Sequence, residues 1–216
     1  MTQEEIWKLF SNMFFASGDT LSIFFCTMVF SLPLGLILCL GRMSRFKLVS
    51  WPIRFYLLIM RGTPLILQLS VFYFAPAKLL GIRIDRFPAA IIAMSLNYAA
   101  YFAEIYRSGL ESMPKGQKEA ATVLGFTKTQ SFFKITLPQV IKRILPPMGS
   151  EFMTLVKDTA LVSVIAVPEL YKLATESMSA RSSVIPIIMA GAFYLAMNSI
   201  VARCFYMAEK KLSYYQ

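Results

Sequence analysis

The chain has 216 residues, 56% hydrophobic and 16% charged, and its mean hydropathy of +0.58 excludes a disordered protein and argues against an ordinary soluble domain. The formal net charge of +10 would suit a nucleic-acid binder, but the cations gather at the ends of apolar runs. The charge therefore reads as membrane topology, with no nucleic-acid partner expected. Histidine is absent, which excludes a Ser-His or Cys-His nucleophile and a His-liganded metal.

Cys26, Cys39 and Cys204 all lie in apolar runs without metal-ligand spacing, so they read as small buried apolar residues. No catalytic residue, cofactor or metal is expected. The first 19 residues carry Glu4, Glu5 and Asp19 against Lys8, the reverse of a signal peptide's basic start. The first apolar segment is accordingly expected to be retained.

Crossing about 30 Å of hydrocarbon takes roughly 20 helical residues. Five segments are read as spans: 20–41, 62–79, 87–107, 147–168 and 184–206. Pro33 and Gly35 predict a kink in the first. Residues 46–60 read as an interfacial helix, because Thr63-Pro64 looks like an N-cap followed by proline at the first helical position. The span at 147–168 is interrupted by Glu151, Lys157 and Asp158. It is counted because its second half is uncharged and the topology otherwise fails to close. The expected fold is an all-α membrane protein, one transmembrane domain over 1–216.

Orientation follows from the excess of Lys and Arg in cytoplasmic segments. With the N-terminus outside and the C-terminus in the cytoplasm, the inner segments (42–54, 107–143 and 203–211) hold fourteen cations and the outer ones six. Arg61 and Lys157 remain at membrane depth.

Residues 111–146 contain no run long enough to span, yet they have helical periodicity and belong in the cytoplasm. Residues 114–124 predict a short helix with Ala120, Ala121 and Leu124 on one face, stopped by Gly125 as its C′ residue. Thr127 with Gln130 makes a T-x-x-Q capping box that starts a second helix. Two short helices bent about a glycine are expected. The small alanines would let the element enter a cleft, Glu119 would offer a charge to a partner's Arg or Lys, and Ile135, Leu137 and Pro138 would anchor its rear. The chain has no G-x-x-x-x-G-K-[ST] phosphate loop.

Glu119, Ala120, Ala121, Gly125, Ile135, Leu137 and Pro138 spell E-A-A-x3-G-x9-I-x-L-P. This pattern resembles the one that marks membrane permease subunits of ATP-binding-cassette importers, where it is the docking site for a separate ATPase. Arg61-Gly62-Thr63-Pro64-Leu65, Ala103-Glu104-Ile105-Tyr106-Arg107, Gly116-Gln117, Glu151-Phe152 and Lys157-Asp158-Thr159-Ala160-Leu161 are similar to the polar amino-acid branch of that family, the likeness covering about 20–208. Asn97-Tyr98-Ala99-Ala100-Tyr101 departs slightly, with Ala99 rather than glycine before Ala-Tyr.

The resemblance implies a type I importer fold with a five-helix core and a second permease subunit, identical or homologous. It also implies ATP-binding-cassette ATPase subunits below, an extracytoplasmic substrate-binding protein, an amino-acid substrate and a place among the lipids of the bacterial cytoplasmic membrane. An ion-coupled secondary transporter or channel, or a membrane anchor for a signalling complex, stands as the alternative. The former usually needs more helices or internal repeats.

Charges inside a bilayer face a protein interior or a water-filled path. Asn97, Tyr101 and Glu104 share one helical stripe, and Glu151, Thr154 and Asp158 share another. If both face inward they form a pathway for a zwitterion, with Lys157 or Arg61 toward its carboxylate. The competing reading is a structural network in which Lys157 pairs with Glu104 or Asp158.

Overall fold

The computed structural model describes residues 2–212, and among these every regular element is helical. In chain order they are α1 (Gln3–Arg42), α2 (Lys47–Gly62), α3 (Leu65–Leu80), α4 (Arg86–Glu111), α5 (Lys115–Val123) and α6 (Lys128–Ser131). A π-helical turn (Phe132–Thr136), α7 (Leu137–Asp158), a 3₁₀ segment (Thr159–Ile165), α8 (Leu170–Arg181) and α9 (Ile185–Leu212) follow.

The helix that carries the first predicted span begins seventeen residues before that span and has 40 residues. Its start is a capping box: Glu5 N–H donates to Thr2 Oγ1 at 3.3 Å and Thr2 N–H to Glu5 Oε2 at 2.8 Å. The helix continues through Pro33. Along it Met13, Ser17, Thr20, Phe24, Thr27, Ser31, Gly35 and Cys39 are buried at steps of three or four, a stripe that is small over its inner half. Small residues let helices approach closely where no hydrophobic force separates lipid from protein.

The stripe faces α4, whose Ala89, Ala90, Ala93, Ala99, Ala100 and Ala103 are also buried. At Gly35 the two helices are in close contact. A Cβ placed there would meet Phe102 Cβ at 2.9 Å and the Ala99 carbonyl at 3.1 Å, so only hydrogen fits. Helix α4 is the central post, with α1, α2, α3 and α7 packed around it.

The segment read as an interfacial helix over 46–60 forms a helix of its own, Lys47–Gly62, but the junction after it is built differently from the prediction. Thr63 is the C-cap of α2 and Pro64 the N-cap of α3, with no side-chain cap. The hydroxyl of Thr63 turns back to donate to the Ile59 carbonyl at 2.9 Å. The chain turns by 110° between the two helices.

The second helix of the 111–146 segment starts where its capping box predicted but does not end inside the loop. Residues 128–165 are continuously helical, changing pitch from α to π to α to 3₁₀, and α7, the helix that carries the fourth predicted span, begins ten residues before that span, at Leu137. Pro146 and Pro147 lie inside α7. The 3₁₀ segment ends at Ala166, which has φ +60°.

Helix α8 was not expected. It is tied in by Glu169, which is almost fully buried and whose carboxylate accepts from the N–H groups of Tyr171 (2.7 Å) and Lys172 (2.6 Å) and from the Tyr194 hydroxyl (2.8 Å). Leu170 N–H donates to Thr20 Oγ1 at 3.2 Å, joining α8 to α1. By length and apolarity two of the described helices, α1 and α9, are able to cross a bilayer alone, and α2 with α3 makes a third candidate as a broken span.

Candidate functional site

Two groups of residues carry the predicted chemistry, one in the segment between α4 and α7 and one around α4.

Helix α5 runs from Lys115 to Val123 and closes in a double turn about Gly125. Gly125 N–H donates to the Thr122 carbonyl and Phe126 N–H to the Ala121 carbonyl, both at 3.0 Å, which is the Schellman arrangement for satisfying the last carbonyls of a helix. Gly125 has φ +78°, a conformation that costs an L-residue roughly 1–2 kcal/mol. The Thr127–Gln130 capping box is present with both bonds made.

On the predicted face of Ala120, Ala121 and Leu124, Ala121 is buried, whereas Ala120 and Leu124 are exposed, as is the neighbouring Glu119. Val123 is 88% and Leu124 74% exposed, so the tip of the element presents apolar side chains to the outside. Its rear is held by Gln117, whose Nε2 donates to Gln139 Oε1 on α7 at 3.0 Å. Ile135, Leu137 and Pro138, in the π-turn and the first turn of α7, are half-buried.

The second group lies around a cleft of about 320 Å³ whose lining includes Thr63, Tyr98, Tyr101, Glu151, Thr154 and Asp158, together with Asn97. The structure thus brings Asn97 and Tyr101 of one predicted stripe together with Thr154 and Asp158 of the other. Asp158 accepts a 2.7 Å hydrogen bond from the hydroxyl of Tyr98, a fully buried residue. Thr154 Oγ1 donates to the Ser150 carbonyl at 3.0 Å.

Asn97 is buried and its amide is committed. Nδ2 donates to the Met60 carbonyl at 3.0 Å and to Gln68 Oε1 at 2.9 Å. Gln68 Nε2 in turn donates to the Met60 carbonyl at 3.0 Å and to Thr63 Oγ1 at 2.8 Å. These amides satisfy carbonyls freed by the break between α2 and α3, as any break in a low-dielectric interior requires.

Glu104 and Lys157 are not part of the cleft's lining. Glu104 accepts instead from Arg42 (2.8 Å), Arg107 (2.9 Å) and Arg61 (3.4 Å). The competing structural-network reading paired Lys157 with Glu104 or Asp158, and neither pair is formed among the described residues. Lys157 is exposed and forms no ion pair among the described residues. Arg107 also pairs with Glu111. The guanidinium of Arg61 sits over the Tyr101 ring, 5.5 Å from its centroid, and so links the arginine cluster to the cleft through a cation–π contact.

Sequence reasoning missed Tyr98 and Gln68, whose roles depend on neighbours 60 and 29 positions away. Glu151, seven residues from Asp158 on the same predicted stripe, lines the cleft beside it. No group of three or more candidate metal ligands occurs among the described residues.

Comparison with known proteins gives a consistent picture. A family model described as "Binding-protein-dependent transport system inner membrane component" matches residues 31–214. The chain is 39% identical over 194 residues to the arginine transport system permease protein ArtQ of Bacillus subtilis (strain 168), covering 89% of each chain. It is 35% identical over 219 residues to the L-cystine transport system permease protein TcyB of the same organism, covering 100% of this chain and 91% of that one. Among solved structures, an amino acid ABC transporter crystallised with histidines superposes with a TM-score of 0.88 at 31% identity, covering 98% of this chain and 99% of that one. An inward-facing form of the MetNI methionine ABC transporter shares the fold at 18% identity, with a TM-score of 0.73 over the same shares.

Proposed function

The chain belongs to the family of binding-protein-dependent transport system inner membrane components, and on that premise we propose that it forms the translocation path of an ATP-driven amino-acid importer. It is a permease subunit with the type I importer fold and is not itself an enzyme. Its relatives are named for arginine and L-cystine, which supports amino acids as the substrate class. Five segments cross the membrane, centred on α1, α3, α4, α7 with its 3₁₀ extension, and α9, the N-terminus outside and the C-terminus in the cytoplasm.

The observation that carries the reading is the tip of α5. A cytoplasmic loop has no intramolecular reason to hold Val123 and Leu124 88% and 74% exposed next to a free-standing Glu119. An apolar tip with one carboxylate fits a cleft on another protein, and the rigid Gly125 closure keeps it presented. Glu119, Ala120, Ala121 and Gly125 form the contact with the ATPase subunit, while Ile135, Leu137 and Pro138 transmit its movement into α7. A displacement at α5 passes to α7 through the Gln117–Gln139 hydrogen bond and the short turn about Gly125, and the continuous helix over 128–165 carries it on to Thr154 and Asp158 at the cleft.

In the cleft, Asp158 with Tyr98, and Tyr101 and Thr154, offer acceptors and donors to a zwitterion. Asn97 shapes the wall, and Glu104 with Arg42, Arg61 and Arg107 closes the path on the inner side. Lys157, exposed on α7, serves the second permease subunit or the substrate from outside this cleft. Delivery falls to an extracytoplasmic binding protein.

The test is co-purification followed by uptake. An ATPase that remains bound to this chain, with uptake in vesicles that requires both chains and ATP, is the expected result. Uptake by this chain alone along an ion gradient would overturn the reading.

A further inference from the structure

The turn between α1 and α2, with the first two turns of α2, forms a surface that transport and coupling leave unused. Leu48, Trp51 and Phe55 stand at i, i+3 and i+7 and share one face of α2. They are 92%, 70% and 54% exposed. The rings of Trp51 and Phe55 are stacked, with centroids 6.1 Å apart and an interplanar angle of 7°. The opposite face is fixed inward, since Ser50 and Leu57 are buried and the Tyr56 hydroxyl donates to the Leu96 carbonyl at 2.6 Å. Rotation of α2 is therefore set, and the aromatic face points outward.

Cations frame that face. Lys47 lies four residues before Trp51 and Arg54 three after it, so both flank the indole along the helix, and Arg45 sits in the preceding turn. All three are exposed, and none forms an ion pair among the described residues. With Leu48 and Trp51 they line a groove of about 850 Å³ whose lining contains no carboxylate. Unpaired cations at one level over an exposed aromatic and aliphatic floor match a ligand with an anionic head and an apolar body. The place of the groove agrees: it follows Arg42, in the segment whose cation excess puts it at the inner surface, where Trp and basic side chains settle at headgroup depth.

We propose that this groove binds an anionic phospholipid of the inner leaflet. Its phosphate lies among Arg45, Lys47 and Arg54, and an acyl chain lies along Leu48 and Trp51. The proposal rests on the reading that the α1–α2 turn is cytoplasmic. Basic residues near a bilayer surface each favour an anionic lipid by about fivefold at low ionic strength, and salt screens that preference.

The full chain carries two tryptophans, so Trp7→Phe leaves Trp51 as its sole indole. The test places this chain in vesicles of phosphatidylcholine containing about one-fifth phosphatidylglycerol, with bromine on the acyl chains of one lipid at a time. Brominated phosphatidylglycerol should quench Trp51 several-fold more per mole than brominated phosphatidylcholine. That preference should fall as salt is raised, and it should vanish in Arg45→Gln/Lys47→Gln/Arg54→Gln while both lipids still quench.

Equal quenching per mole with the native cations would overturn the proposal, because the face would then merely touch lipid. Absence of quenching by either lipid would overturn it too, by showing that protein covers the groove. Substrate-stimulated ATP hydrolysis by the assembled transporter in the same lipid reports the permease reading separately.

Discussion

Replacing Glu104 by glutamine removes the one carboxylate that three arginines share. The side chain of Glu104 is 14% exposed, those of Arg42 and Arg107 are 24% and that of Arg61 is 42%. At an effective dielectric constant of about 20, unit charges at these separations attract by roughly 5–6 kcal/mol per pair. Desolvation and the mutual repulsion of three guanidiniums cancel most of that. Removing one partner of a buried pair costs about 3–5 kcal/mol, and the partial exposure of Arg61 brings the expectation to the low end, about 3 kcal/mol. For a chain of this size that lowers the melting midpoint by about 6–12 °C.

The assay is thermal unfolding in nanodiscs, run as a cycle with Arg61→Gln. In the native background Arg61→Gln should destabilise modestly, by about 1 kcal/mol, through loss of the ion pair and the cation–π contact with Tyr101. In the Glu104→Gln background its sign should reverse, because it then relieves repulsion. A shift below about 0.5 kcal/mol for Glu104→Gln, or equal destabilisation by Arg61→Gln in both backgrounds, would refute the cluster as described.

Gly35→Ala forces the backbones of α1 and α4 apart at Phe102 and Ala99, and should cost about 1–3 kcal/mol in the same unfolding assay, whereas Gly18→Ala, with open space around it, should cost nothing measurable. Asn97→Ala strands Gln68 Oε1 and takes a donor from the Met60 carbonyl, for a loss of about 1–3 kcal/mol together with altered uptake kinetics in reconstituted vesicles. Tyr98→Phe removes the 2.7 Å bond at the cleft and Asp158→Asn removes the charge while leaving an acceptor for Tyr98, and each should change the apparent affinity for substrate in uptake assays. If Asn97→Ala and Asp158→Asn both leave uptake unchanged, the cleft is not on the substrate path.

The parts of the fold that obey local rules were legible beforehand. Gly125 as a C′ residue and the Thr127–Gln130 box depend on residues three or four apart, and both hold. The signal for the early start of α1 was of the same kind, a Thr2-x-x-Glu5 box, but the search for an uncharged 20-residue run stopped at Asp19. Thr63-Pro64 marked a helix boundary correctly while its polarity as a cap was reversed, since a hydroxyl can serve the helix behind it as readily as the one ahead. The stripes on α4 and α7 gave the cleft, because periodicity fixes which residues share a face. Periodicity says nothing of what crosses from other helices. Of the three arginines on Glu104 only Arg107, at i+3, lies within its reach. The 12-residue helix α8 was illegible because it is short and polar, and it is held by Glu169 bonds to Tyr194 and by the Thr20 contact, which are set by tertiary packing.

On the proposed reading, α5 couples this permease to an ATPase. The direct measurement is substrate-stimulated ATP hydrolysis by the complete transporter, with its binding protein and bound substrate, carrying Glu119→Ala or Gly125→Val. A β-branched residue at φ +78° is strained by more than the roughly 1–2 kcal/mol of an ordinary L-residue, but the strain is local to the loop and the chain should remain inserted. Stimulation should be lost in both variants while basal hydrolysis by the ATPase persists. Undiminished stimulation in both would contradict that reading.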